Sequence, residues 1–109
     1  MKDTYQNFRQ LLLFEREGYD FRRMISQTDS GCIIIAPHGG GIEPGTSELA
    51  NAIAGSNHSL YIFEGLKRTN NRKLHITSTH FDDPELLKLL NLSSAAITIH
   101  GCEGDEEVA

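Results

Sequence analysis

The segment Ile33-Ile34-Ile35-Ala36-Pro37-His38-Gly39-Gly40-Gly41-Ile42-Glu43-Pro44-Gly45 sets the tightest limits on how this chain can fold. Three consecutive β-branched residues read as a buried strand, which Pro37 and the glycines then stop. Leu49, Ala50 and Ile53 recur at helical spacing and predict a helix from about Thr46 to Ala54. Strand, glycine-rich loop and helix in succession put the loop at the carboxyl edge of a sheet, where α/β proteins build their sites. His38 and Glu43 lie in that loop, and Gly39, Gly40 and Gly41 let the Glu43 carboxylate fold back toward His38. A borderline cation such as zinc accepts both ligand types. The same loop also suits a plain tight turn with solvated polar side chains, since a motif of this length is weak by itself.

The remaining elements follow from local pattern. Phe8, Leu11, Leu12 and Phe14 predict a first helix over roughly residues 4–17, closed by Gly18. Tyr19 to Ser26 alternates loosely and suits an edge strand, and the turn residues Thr28-Asp29-Ser30-Gly31 predict a hairpin with Cys32 to Ala36. Ser59 to Phe63 and Leu74 to Ser78 read as strands, separated by the basic connector Lys67 to Lys73. Asp83-Pro84-Glu85 opens a further helix, running to about Leu90, with a side-chain acceptor, a proline in the first turn and an acidic neighbour. Ser94 to His100 is the last strand, broken by Gly101.

The order β-β-α-β-β-α-β predicts a single α/β domain over residues 1–109, with a mixed, largely parallel sheet flanked by helices. Crossovers through helices make strands parallel, so His38 and His100 should emerge at one edge, each ending an apolar strand and preceding glycine. Two imidazoles and the Glu43 carboxylate would form the three-ligand set of a catalytic zinc site, which leaves a position for water. Such a metal lowers the pKa of its water to about 7 and polarises a carbonyl, as amide hydrolysis requires. A backbone-bonded or solvated imidazole explains either histidine separately. His80 and Asp82 form a second polar cluster at a strand-to-helix junction; capping accounts for the acidic residues but not for His80. Cys102 is a conceivable fourth ligand, although hydrolytic sites keep that position open. His58 and His75 receive no functional reading.

Charge narrows the partners. A net charge of −5 argues against a generic nucleic-acid binder. No apolar run is long enough to cross a bilayer and no secretion leader is evident, so a cytoplasmic starting compartment is the default, with release toward an extracellular polymer still open. Cys32 and Cys102 form no disulfide framework, and strand direction predicts two free thiols.

Four segments in order, Ala36–Glu48, Phe63-Glu64-Gly65, Leu74–Asp82 and Ile97–Cys102, resemble the phage poly-gamma-glutamate hydrolases, a family that includes related phage and bacterial proteins once described as replication proteins. The resemblance spans roughly residues 20–104. It implies a zinc-dependent peptidase of carboxypeptidase-like (phosphorylase/hydrolase-like) fold that cuts γ-linked glutamate polymer, with His38, Glu43 and His100 as ligands. Family members are longer, and their architecture is expected to bring the general-base glutamate from a later part of the chain. His80 is therefore the one acid–base candidate within these residues, and the chain reads as the N-terminal part of a longer family domain. A polyanionic substrate needs a local cationic patch on an acidic protein, for which Lys67 and Arg68, with Arg72 and Lys73 beside them, are the candidates.

Three other readings compete. A zinc amidase cutting peptidoglycan shares a His-Gly-Gly start, but Glu43 lies late for it. An esterase with an oxyanion loop needs a G-x-S-x-G elbow, which the sequence lacks. A non-catalytic domain could hold a metal or an anionic polymer through the same edge.

Overall fold

The computed structural model of the chain describes residues 2–101. Its elements are α1 (Phe8–Phe14), β1 (Phe21–Ser26), β2 (Cys32–Gly40), α2 (Thr46–Ala54), β3 (Ser59–Gly65), α3 (Pro84–Asn91) and β4 (Ala95–Thr98), with short 3₁₀ turns at Asn71–Leu74 and Ser78–His80. The strands form a mixed sheet in the order β1-β3-β2-β4. β2 pairs in parallel with both β3 and β4, and β1 runs antiparallel to β3.

Alternation along the two central strands divides the core into two faces. Ile33, Ile35, Tyr61 and Phe63 point to the side covered by Phe8 and Leu11 of α1 and Leu86 and Leu89 of α3. Phe21 and Phe63 stack there at 4.9 Å, with Phe8 edge-on to Phe63 at 6.0 Å. Ile34, Ala36, Leu60 and Ile62 point the other way, onto Ala50 and Ala54 of α2. Each fully buried branched or aromatic side chain contributes about 1.5–3 kcal/mol of transfer free energy. The buried Asp83 joins these layers: it caps α3 through the Glu85 N–H at 3.1 Å, takes both oxygens to Arg23 at 3.1 and 3.2 Å, and accepts from the Tyr61 hydroxyl.

Several expectations are corrected. β1 is an edge strand as its alternation predicts, but it does not make a hairpin with β2. β3 lies between them, because both edges of β2 are taken by parallel neighbours and the turn after β1 crosses the start of β3, where Thr28 N–H donates to Ser59 Oγ at 2.9 Å. Leu74 to Ser78 is not a strand. Leu74 and Ile76 are fully buried, but side chains satisfy the backbone: Asp3 accepts from Thr77 N–H at 2.6 Å, and the Ile76 carbonyl accepts from His38 at 2.6 Å. α1 is shorter than expected, since Asn7 Oδ1 caps it by accepting from Gln10 N–H at 2.9 Å and Glu15 leaves helical geometry. α2 has the expected bounds but buries Ser47, Ala50 and Ala54, leaving Leu49 and Ile53 exposed. Small residues are required there because α2 follows the glycine loop closely enough for Ser47 Oγ to accept from Gly40 N–H at 2.9 Å. β2 continues through Gly40, with an irregularity between Ala36 and Gly39, rather than stopping at Pro37.

Candidate metal centre

His38 sits in that irregularity of β2, only 2% exposed. The loop that follows is pinned at both ends: Glu43 N–H donates to the His38 carbonyl at 2.9 Å, and the Thr46 hydroxyl lies 2.9 Å from the Glu43 carbonyl. This folds the Glu43 side chain back over the histidine. Nε2 of His38 lies 2.6 Å from the Ile76 carbonyl. A carbonyl only accepts, so Nε2 carries the proton and a neutral ring presents a bare lone pair at Nδ1. Burial holds the His38 pKa below its ordinary value, outweighing the Ile76 hydrogen bond and the Glu43 charge that pull it upward.

Nδ1 of this neutral ring faces Glu43 Oε1 at 3.3 Å. Both atoms are acceptors, an unfavourable pairing unless a positive charge lies between them. Two donors about 2.0–2.1 Å from a tetrahedral ion stand roughly 3.3–3.4 Å apart. The donor chemistry and the spacing therefore fit a cation, and the Ile76 carbonyl is the outer partner that would fix the ring.

β4 ends at the same edge. Gly101 N–H donates to Glu43 Oε1 at 2.9 Å, and a Cβ on Gly101 would stand 3.0 Å from the Glu43 Cβ. The exposed His100 ring lies 5.5 Å from His38, inclined at 47°. Two imidazoles sharing a tetrahedral ion about 2.0–2.1 Å from each nitrogen place their ring centres roughly 5 Å apart.

His75 is the residue that sequence reasoning missed. One donor atom each from His38, Glu43 and His75 falls within a 4.8 Å group. However, the His75 ring stacks on His38 at 4.0 Å with only 24° between planes. Nitrogen lone pairs lie in the ring plane, so two nearly parallel stacked rings do not converge on one ion. His75 is better described as a packing neighbour whose Nδ1 is held by Asp3 Oδ1 at 2.8 Å. That link joins residues 72 positions apart and leaves no local pattern in the sequence.

The other candidates disperse. His80 is exposed on the Ser78–His80 turn and is not in the group of His38, Glu43 and His75. Asp82 accepts from the Phe8 N–H at 2.9 Å. Lys67 pairs with Glu15 at 2.8 Å and Asp20 at 3.4 Å, while Arg68 is exposed. Cys32 is a free, half-buried thiol, whereas Cys102 lies outside the described residues.

The mixed α/β sheet thus carries a candidate metal-ligand group, a histidine–glutamate pair, at the carboxyl edge of its parallel strands. The chain belongs to the poly-gamma-glutamate hydrolase family, whose model matches residues 5–109. It is 44% identical over 108 residues to the UPF0714 protein YndL of Bacillus subtilis strain 168, covering 98% of this chain and 42% of YndL. It is 46% identical over 100 residues to the SPbeta prophage-derived UPF0714 protein YoqZ of the same organism, covering 91% of this chain and 35% of YoqZ. Among solved structures it matches a bacteriophage poly-gamma-glutamate hydrolase with a TM-score of 0.93 and 36% identity, over 97% of this chain and 52% of that one. It also matches a zinc-free apo structure of YndL with a TM-score of 0.87 and 44% identity, over 93% of this chain and 49% of that one. The chain thus spans about half, or less, of the length of these relatives. No helix among the described residues is long and apolar enough to cross a membrane.

Proposed function

We propose that this chain supplies the metal-binding part of a zinc-dependent hydrolase that cleaves γ-linked glutamyl amide bonds, with His38, Glu43 and His100 as the ligands. The observation that carries the reading is the pair of facing acceptors, His38 Nδ1 and Glu43 Oε1, at 3.3 Å. Family membership and a relative with a zinc-free form support zinc and the γ-glutamyl polymer over other metals and substrates. A bound zinc would supply an acidified water and a polarised carbonyl. This chain's own residues do the holding: Ile76 fixes the His38 tautomer, and Gly101 orients Glu43. His80, exposed and outside the cluster, is the acid–base candidate within the described residues.

The test is elemental analysis of the purified chain and of single variants, beside hydrolysis of poly-γ-glutamate and of peptidoglycan. Stoichiometric zinc should be lost in His38→Ala and His100→Ala and weakened in Glu43→Ala, since each removes one of about three ligands. Full zinc in His100→Ala overturns the ligand assignment. Cleavage of peptidoglycan instead of the glutamyl polymer overturns the substrate. Zinc binding and polymer binding without turnover identify a metal- and polymer-binding domain.

A further inference from the structure

We propose that the free edge of β4, with the apolar flanks of α2 and α3 beside it, is a docking surface for a polypeptide segment equivalent to the part of its relatives that this chain does not span. The segment adds an extended strand along β4 and covers both of its faces. This surface depends on neither the zinc nor the polymer of the reading above. β2 and β3 are buried along almost their whole length, as the interior of a sheet with parallel strands is. β4 continues the parallel part of the sheet, yet every residue from Ala95 to Thr98 is exposed. The exposed His100 follows directly, so the surface adjoins the candidate metal centre.

The backbone of β4 is ready for another strand. Ala95 N–H donates to the Gly31 carbonyl at 3.0 Å, and Ile99 N–H, just past the strand, to the Ile35 carbonyl at 2.8 Å. Alternate residues of a parallel strand bond to opposite sides, so Ala96 and Thr98 turn their N–H and C=O groups outward. Among the described residues nothing pairs with that edge. The opposite edge of the sheet is defended: β1 carries Arg22 and Arg23, and charge on an edge strand discourages further pairing. Ala95-Ala96-Ile97-Thr98 has neither a charge nor a proline. β4 is the edge left open.

Apolar side chains flank this edge on both faces. Ile97 pairs with Ile34 and so faces the α2 side, while Ala96 pairs with Ile33 and faces the α3 side. On α2, Leu49 and Ile53 each precede a buried alanine by one position, a rotation of about 100° around the helix. The right-handed path of a β2–α2–β3 connection turns that flank toward β4. On α3, Leu87 follows the buried Leu86 by one position, and the right-handed path into β4 turns it the same way. Ile97, Leu49, Ile53 and Leu87 are between 41% and 50% exposed. Such a cluster marks an interaction surface, and strand addition would give it main-chain hydrogen bonds as well as apolar contact. The relatives point to the occupant. Two solved structures hold the matched fold within chains about twice as long. Chain of that length folded beside this half must bury apolar surface, and the β4 side is where this half offers it.

The probe is the part of YndL outside the match, carrying an affinity tag and co-expressed with this chain. The tagged segment should capture the chain in a one-to-one complex, read by gel filtration with mass detection. Ile97→Lys should lower the captured fraction about tenfold or more, because an ammonium would be buried where isoleucine packs. Leu49→Lys with Ile53→Lys should do the same from the helix, which keeps the test valid if either variant folds poorly. Ile25→Lys, at an exposed position on β1, should be captured as the unaltered chain is. Amide exchange reads the edge without any substitution: the Ala96 and Thr98 N–H groups should exchange about tenfold or more slowly in the complex, and those of β1 should not change. No complex, undiminished capture of the β4 and α2 variants, an equal loss in Ile25→Lys, or protection gained on β1 instead overturns the docking surface. A dimer of this chain alone that Ile97→Lys dissolves would give the edge to a second copy and overturn the occupant.

Discussion

Gly40, at φ +60°, is packed against the Gly65 carbonyl so closely that a Cβ at Gly40 would lie 2.6 Å from that oxygen. The contact holds the end of β2 against the end of β3 immediately before the loop that returns Glu43 to His38. Both the backbone conformation and the space exclude a side chain. Gly40→Ala should therefore cost about 1–3 kcal/mol. Chemical denaturation would show a lowered midpoint with unchanged slope, and an unchanged midpoint would show that the loop relaxes freely.

A second consequence concerns the core beneath the site. Asp83→Ala removes the cap of α3 and strands the Tyr61 hydroxyl, while the Arg23 guanidinium is left with Glu17 alone. A loss of about 2–3 kcal/mol is expected, from the lost cap and the unpaired buried hydroxyl. Tyr61→Phe should cost about 1 kcal/mol, having lost one hydrogen bond. If the two variants have equal denaturation midpoints, Asp83 acts through the hydroxyl alone.

The His38 ring gives the metal-free chain a pH dependence with a definite sign. Burial holds its pKa below the unfolded value of 6.5. The unfolded chain therefore binds the proton more readily, so the stabilisation is fully present above 6.5 and is lost as pH falls through the folded value. Zinc held at the proposed site needs the bare nitrogen, so its uptake should weaken as pH falls and protons compete for the ring. Thermal midpoints of the metal-free chain between pH 7.5 and pH 5 should fall for the native sequence and fall less for His38→Gln. Parallel curves would place the titration elsewhere.

Asp3 titrates lower on the scale. Burial pushes its carboxyl up, but the hydrogen bonds from Thr77 and His75 outweigh this and leave it below 3.8. With the folded value depressed, its contribution is complete above 3.8 and disappears as pH falls below that. Asp3→Asn should cost about 1 kcal/mol at neutral pH and flatten the acid limb of the stability curve. An acid limb identical to that of the unaltered chain would remove Asp3 from this role.

Local pattern made the strand–loop–helix legible because the β-branched Ile33 to Ile35 favour a strand and the glycines after them mark a tightly turned, closely packed loop. It also placed His38 and His100 at one edge, since parallel strands joined through helices leave little choice. Four features depend on what neighbours offer. The β1 pairing could not be read because a turn sequence does not reveal that another strand will occupy the intervening place. Leu74 to Ser78 has strand composition, yet Asp3 and His38 satisfy backbone groups that a sheet would otherwise take. The inward face of α2 was misjudged because hydrophobicity favours Leu49 and Ile53, while close approach to β2 favours Ser47 and Ala50. His75 depends on a partner near the opposite end of the chain and left no signal in the sequence at all.

The bond from Asp3 to His75 also bears on how the protein is handled. Asp3 thereby holds the start of the described residues against a side chain that stacks on His38. A polyhistidine tag fused ahead of this sequence would bring extra imidazoles near the proposed ligands, and would compete for the metal whose uptake is being measured. Metal stoichiometry should accordingly be measured on a chain purified without an amino-terminal tag.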